Sequence, residues 1–131
     1  MIEEQLQRHK FLVSEVEGNS MLPFLHSGVD KVVISKDKKI EKYDVVLYKN
    51  KDNKNILHRV VKIENNIYFV RGDNSITEEK VDRDNILGVL AGYYNTNGYV
   101  ETNKNINRKY YLLSMPKYLL RKLKKIIVWI R

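Results

Sequence analysis

A serine, a histidine and a small set of acids in this chain of 131 residues are of the types that together perform acyl transfer. Ser20 lies in Gly18-Asn19-Ser20-Met21-Leu22-Pro23, which is followed by Gly28-Val29-Asp30. A glycine-containing turn ahead of a methionine and a proline suits a hydroxyl that is held rigidly and left exposed. Such a hydroxyl attacks a carbonyl only when a base removes its proton, and histidine and lysine are common bases. His58, in Ile56-Leu57-His58-Arg59-Val60-Val61, can be that base. Asp73, in Val70-Arg71-Gly72-Asp73-Asn74, brings an acid able to orient an imidazole and stabilise the imidazolium formed when Ser20 loses its proton.

The elements that must position these groups read as strands. Val13 to Val16, Lys31 to Ser35, Val45 to Tyr48, Ile56 to Ile63, Ile67 to Val70 and Ile86 to Tyr94 are short runs rich in Val, Ile and Tyr. Polar turn clusters such as Lys36-Asp37-Lys38-Lys39 and Asn95-Thr96-Asn97-Gly98 separate them. Alternation puts Ile56, His58 and Val60 on one face. Asn65-Asn66 makes a two-residue hairpin turn, because Asn tolerates positive φ. That turn predicts residue 58 opposite residue 73, with Arg59 beside Asp73. Ile2, Leu6 and Leu12 are spaced for a short helix over residues 2–12. Six short strands without long helices between them predict a mainly β fold, a small antiparallel, barrel-like folded sheet.

The last segment differs in kind. Pro116 suits a first helical turn and Ser114 a cap. Leu119, Leu120, Leu123, Ile126, Ile127 and Ile130 then recur at three- and four-residue spacing, with Arg121, Lys122, Lys124, Lys125 and Arg131 on other faces. The expected organisation is a β-rich domain over residues 1–103 and a basic amphipathic helical tail over 104–131. Lys104 to Arg131 holds nine Lys and Arg and no Asp or Glu, a charge of +9, so the remainder, with 15 basic and 16 acidic residues, is near neutral at −1 and the total is +8.

Three of these stretches, in this order, resemble type I signal peptidases, particularly the endoplasmic-reticulum and sporulation type, in which a histidine replaces the bacterial lysine. The first box is matched by Gly18, Ser20, Met21, Pro23 and Gly28, with Val29 inserted before Asp30. His58, Arg59 and Val60 match the second, and Gly72, Asp73 and Asn74 the last. Ile86-Leu87-Gly88-Val89-Leu90 is similar to the closing strand, and the resemblance spans roughly residues 13–94. It implies the signal-peptidase catalytic-core fold, with Ser20 as nucleophile, His58 as general base and Asp73 paired with Arg59. The family's further acid has no clean match. Glu79 is best placed, then Glu78, with Asp82 and Asp84 also in range, and the third member stays open between Asp73 and Glu79. Gly18 stands where many members carry an oxyanion-binding serine. The Ser20 amide and the Asn19 side chain would then serve as oxyanion donors.

Each residue has a plainer reading. Ser20 alone is a turn serine, and Gly-Asp-Asn is a good turn whose Asp73–Arg59 pair could be architectural. His9 and His26 have no evident partner and read as solvated. Without cysteine there are no disulfides and no thiolate chemistry, and the three histidines lack metal-ligand spacing, so no cofactor and no metal are expected. A near-neutral body without stacking aromatics among the basic residues argues against a nucleic-acid partner. The longest apolar run, Ile126 to Ile130, is far short of the roughly 20 residues of a membrane span. Glu3 and Glu4 stand where a secretion signal is positive. A cytoplasmic location is therefore expected, peripheral on the inner face of the membrane if the basic helix meets anionic headgroups through its Leu, Ile and Trp129.

The expected function is a serine endopeptidase acting on signal or leader peptides of a precursor protein, bound as an extended strand. The first alternative is a non-catalytic peptide-binding or membrane-docking module on the same fold. The second is a self-cleaving repressor, which needs a preceding DNA-binding domain and a cleavage site upstream of the serine. Only 19 residues precede Ser20, and Ala91-Gly92 lies downstream. The sequence leaves oligomeric state open.

Overall fold

The computed structural model describes residues 10–130, without the side chains of residues 128–130. Eight strands form one antiparallel sheet: β1 (Phe11–Glu15), β2 (Lys31–Ser35), β3 (Val45–Lys49), β4 (Asn55–Glu64), β5 (Ile67–Arg71), β6 (Glu78–Asp82), β7 (Ile86–Asn95) and β8 (Gly98–Glu101). Their order is β1-β2-β7-β3-β4-β5-β6, and β8 also pairs with β7. One helix, α1 (Lys104–Ile130), follows. The fold is mainly β, as expected. Phe11 and Leu12, the end of the expected N-terminal helix, belong to β1, and the rest of that segment lies outside the described residues.

The central strand β3 is apolar on both faces because each face meets a core. Val45 and Leu47 join Leu12, Val32, Ile34 and Leu90, while Val46 and Tyr48 join Val60, Val70, Ile86 and Val89. The first core also takes Met21, Phe24 and Leu25 from the loop that carries Ser20, and Ile106 and Tyr110 of α1 pack against it. Three buried side chains therefore fix the backbone around the serine.

The Asn65-Asn66 turn forms as expected, with φ of 48° and 66°. The pairing that it starts does not run through. Glu64, Ile63 and Lys62 face Ile67, Tyr68 and Phe69, but Val60 and Arg59 face Val70 and Arg71. Val61 is the extra residue of a bulge, which moves the register by one. The expected placement of residue 58 opposite residue 73 is thereby corrected, since beyond the bulge the register would bring residue 72 opposite 58.

Two strands went unread in the sequence. β6, Glu-Glu-Lys-Val-Asp, buries only Val81, and its charge suits an edge strand that must not recruit another chain. β8 is the short return arm of a hairpin through the Asn95–Gly98 turn. The helix also begins a full twelve residues before Pro116. Asn103 caps it, its Oδ1 accepting from the Ile106 amide at 2.9 Å. Pro116 lies inside the helix, and Ser114, rather than capping, is buried with its hydroxyl donating to the Tyr111 carbonyl at 2.6 Å. An interior proline costs about 3 kcal/mol. Docking of residues 106–118 on the body offsets it, through Asn107, Tyr110, Tyr111 and Ser114. No described helix is long and apolar enough to cross a membrane.

Candidate active site

Ser20 sits in the turn between β1 and β2, entered through Gly18 at φ +74°, a left-handed conformation in which a side chain would be strained. Met21 behind it is buried, and the Leu25 amide closes the turn on the Met21 carbonyl at 2.9 Å. The other end of the loop is tied by Asp30. Its buried carboxylate accepts from the His26 amide at 2.7 Å and meets the His26 ring at 3.1 Å. His26 thus has a partner, contrary to the sequence reading, and the inserted Val29 points outward, 56 % exposed.

His58 lies on β4 opposite Val46 of β3, and is half-buried. Gly72, just after β5, lies against the Ser20 backbone and the His58 ring. A Cβ at Gly72 would lie 2.6 Å from the Ser20 carbonyl oxygen and 3.0 Å from His58 Nε2. Only glycine lets this backbone pass so close, and the pass brings Nε2 beside the Ser20 residue. Asn74 locks the approach, its amide donating to the Ser20 carbonyl at 2.8 Å and its side chain to the Asn19 carbonyl at 3.1 Å.

The opposite edge of the imidazole meets Tyr48. The Tyr48 hydroxyl is 3.1 Å from His58 Nδ1 and donates to Glu79 Oε1 at 2.9 Å. A hydroxyl has one proton, so Tyr48 can only accept from Nδ1. The ring therefore carries its proton on Nδ1 and leaves Nε2, the nitrogen near Gly72, with its lone pair. Burial pushes the His58 pKa down from its ordinary value, partly opposed by the Glu79 charge. Burial, and then the bond to Glu79, drives the Tyr48 phenol far above its usual range, so it stays protonated. This chain of Glu79, Tyr48 and His58 fixes the orientation of the imidazole, with a neutral phenol set between the carboxylate and the ring.

The candidate acids separate cleanly. Glu79 pairs with Val70 across β5–β6 and shares the face of Tyr48 and His58. Glu78 points the other way by strand alternation, and Glu78, Asp82 and Asp84 are exposed. Asp73 turns from His58 and takes the guanidinium of Arg59 at both oxygens, 2.8 and 2.9 Å. Burial raises the Asp73 pKa, and the Arg59 bonds pull against that rise. Arg59 is fully buried and also holds the Tyr43 carbonyl and Asn107 of α1. The pair is an internal brace joining β4, the Gly72-Asp73 turn and the helix. Sequence reasoning missed Tyr48, although a β3–β4 hairpin drawn through residues 50–54 puts it on the face of His58, two residues along.

A groove of about 770 Å³ runs past Ser20 and His58. Val16, Met21, Val32, Ile34, Leu47 and Leu57 give it an apolar lining, and Glu15, Glu17 and Lys54 add charge. Gly18 and Ser20 line it, whereas Asn19 is exposed and does not. Among the described residues the Ser20 amide donates to no backbone acceptor. One wall is the start of β4, where among the described residues Asn55 to His58 pair with β3 alone, because β5 joins β4 from Arg59 onward. Among those residues that stretch has a free backbone edge beside the serine.

A family model described as peptidase S24-like matches residues 1–91, which includes Ser20, His58, Asp73 and Glu79. The chain belongs to the S24-like peptidases. At that level it is a serine peptidase, on a fold that peptidases share with self-cleaving repressors. The match is to this wider superfamily and does not single out the type I signal peptidases. No curated protein matches the chain.

Proposed function

We propose that this S24-like peptidase is an endopeptidase that cuts leader or signal segments of other polypeptides with Ser20 as nucleophile and His58 as general base. The observation that carries the reading is the meeting at Gly72, where the Ser20 backbone and the lone-pair nitrogen of His58 converge on one point. Nε2 takes the hydroxyl proton as Oγ attacks the carbonyl. Tyr48 holds the resulting imidazolium by its Nδ1–H, and Glu79 supplies negative charge behind it. The proton passes to the leaving amine, and His58 then activates water against the acyl-enzyme. The Ser20 amide is the available oxyanion donor. An extended substrate fits the free edge of β4, with small or apolar side chains facing the groove lining.

The family match also favours a second reading, cleavage of the chain by itself. The Ala91-Gly92 pair does not suit it, because Gly92 is buried within β7, paired with Val33 on one side and Glu101 on the other. Incubation of the protein with a mixed peptide library, beside Ser20→Ala and His58→Ala, distinguishes the cases. Cleavage in trans that both substitutions abolish supports the endopeptidase. A mass-spectrometric cut within the chain alone supports self-processing. Retained cleavage in either variant rejects the dyad, and no cleavage or acylation at all leaves a binding module.

A further inference from the structure

We infer that the outward face of α1 is a docking surface for an anionic lipid bilayer. The helix has two opposed faces. Asn107, Tyr111, Ser114 and Tyr118 recur at three- and four-residue steps and turn toward the body, the first three in hydrogen bonds or ring stacking and Tyr118 under the Arg71 guanidinium at 3.9 Å. At 100° per residue, Leu112, Leu119, Leu120, Leu123 and Ile127 fall on the opposite side, with Ile126 at its border. All six are 44–60 % exposed. A stripe of this length pointing away from the domain it is attached to is neither core nor isolated surface leucine.

The charge pattern selects the occupant. Lys122 and Lys124 stand about 100° to either side of Leu123. Lys122 donates to the Tyr118 hydroxyl at 2.8 Å, while the long side chain of Lys124 can reach headgroups as the stripe enters the acyl boundary. No acid occurs from Lys104 to the end of the chain. Two copies of α1 laid face to face would bring these cationic flanks together with no acidic partners for them, which disfavours a helical dimer. A bilayer rich in anionic lipid satisfies both features at once. The inference does not depend on the catalytic reading.

The test is sedimentation of the full chain with vesicles of phosphatidylcholine alone or mixed with phosphatidylglycerol. Partition is expected into the mixed vesicles and to be weak for phosphatidylcholine alone. Leu119→Asp with Leu123→Asp alters only exposed positions, so the fold should persist by circular dichroism while partition drops at least about 30-fold. Lys122→Gln with Lys124→Gln should lower it about 25-fold on anionic vesicles, at about five-fold per cation. Absence of partition, equal partition into both vesicle types, or partition unchanged by the leucine substitutions would overturn the inference. So would a solution dimer that those substitutions dissolve.

Discussion

Replacing Tyr48 by Phe removes one oxygen atom and keeps the ring that fills the core, and it should disable the base without unfolding the protein. The hydroxyl is the sole described link between His58 Nδ1 and Glu79, at 3.1 and 2.9 Å. In the resting state the bond to a neutral imidazole is worth about 1 kcal/mol. In the transition state the ring is an imidazolium, and a hydrogen bond to a charged group is worth about 1.5–3 kcal/mol. Only the difference, about 0.5–2 kcal/mol, slows the chemical step, and at about 1.4 kcal/mol per factor of ten that is about 2- to 30-fold. A carboxylate bound directly to the ring would be worth more, so a far larger effect is not expected.

The assay needs no identified substrate. A fluorophosphonate that acylates activated serines reports the reactivity of Ser20 directly, and its labelling rate can be followed against pH. Glu79→Gln separates charge from orientation, since the amide still accepts from Tyr48. Glu79 raises the His58 pKa, so its loss should move the acid limb to lower pH as well as slow labelling. Tyr48→Phe and Glu79→Gln that both label at the unsubstituted rate, with unchanged pH profiles and intact circular dichroism, would refute the relay.

In the unsubstituted protein, labelling should hold from neutral pH to below about 6.5, the ordinary histidine value, and fall only there, because burial lowers the His58 pKa. A rate that already falls above pH 7 would contradict this. Asp73→Ala leaves the Arg59 charge buried without its partner, so urea unfolding should show a loss of about 3–5 kcal/mol. Unchanged stability with abolished labelling would instead make Asp73 part of the chemistry. Gly72→Ala forces a methyl group against the Ser20 carbonyl at 2.6 Å, and displacement of the serine loop should slow labelling strongly at a stability cost of about 1–3 kcal/mol. Normal labelling would show that the close pass is not needed.

The central strands were legible because β2, β3, β4, β5 and β7 carry enough Val, Ile and Tyr to declare themselves, and the Asn65-Asn66 turn fixed one pairing. What escaped was set by forces that local pattern does not carry. The bulge at Val61 arises in the assembled sheet, and one residue of slippage removes Asp73 from opposite His58, while its expected pairing with Arg59 is present. β6 has almost no apolar content and is a strand only because β5 offers it a partner edge. The first half of α1 was hidden by Pro116, which ordinarily marks a helix start, whereas tertiary contacts through Asn107 and Tyr111 carry this helix across it. Glu79 was kept as a candidate on spacing alone. The unread strand beneath it is what aims it at Tyr48.

On the proposed mechanism, the division of labour between the two acids is what lets His58 serve as the base. A carboxylate placed directly on Nδ1 would favour the imidazolium and raise the pKa of the ring, and a buried ring would resist by losing affinity for the proton. In this site the nearby Asp73 is fully engaged by a guanidinium, so its charge is spent on holding β4 and α1 together. Glu79 acts at one remove, through a phenol that stays protonated. His58 then feels enough negative charge to be oriented, and too little to overcome its burial, which leaves its pKa lowered. A base neutral at physiological pH, with Nε2 deprotonated and aimed at the serine loop, is the result. The balance requires both the bulge and the intervening tyrosine. Restoring the straight register by deletion of Val61 should bring the Asp73 turn toward His58, leave Arg59 without its partner, and cost stability before it could improve catalysis.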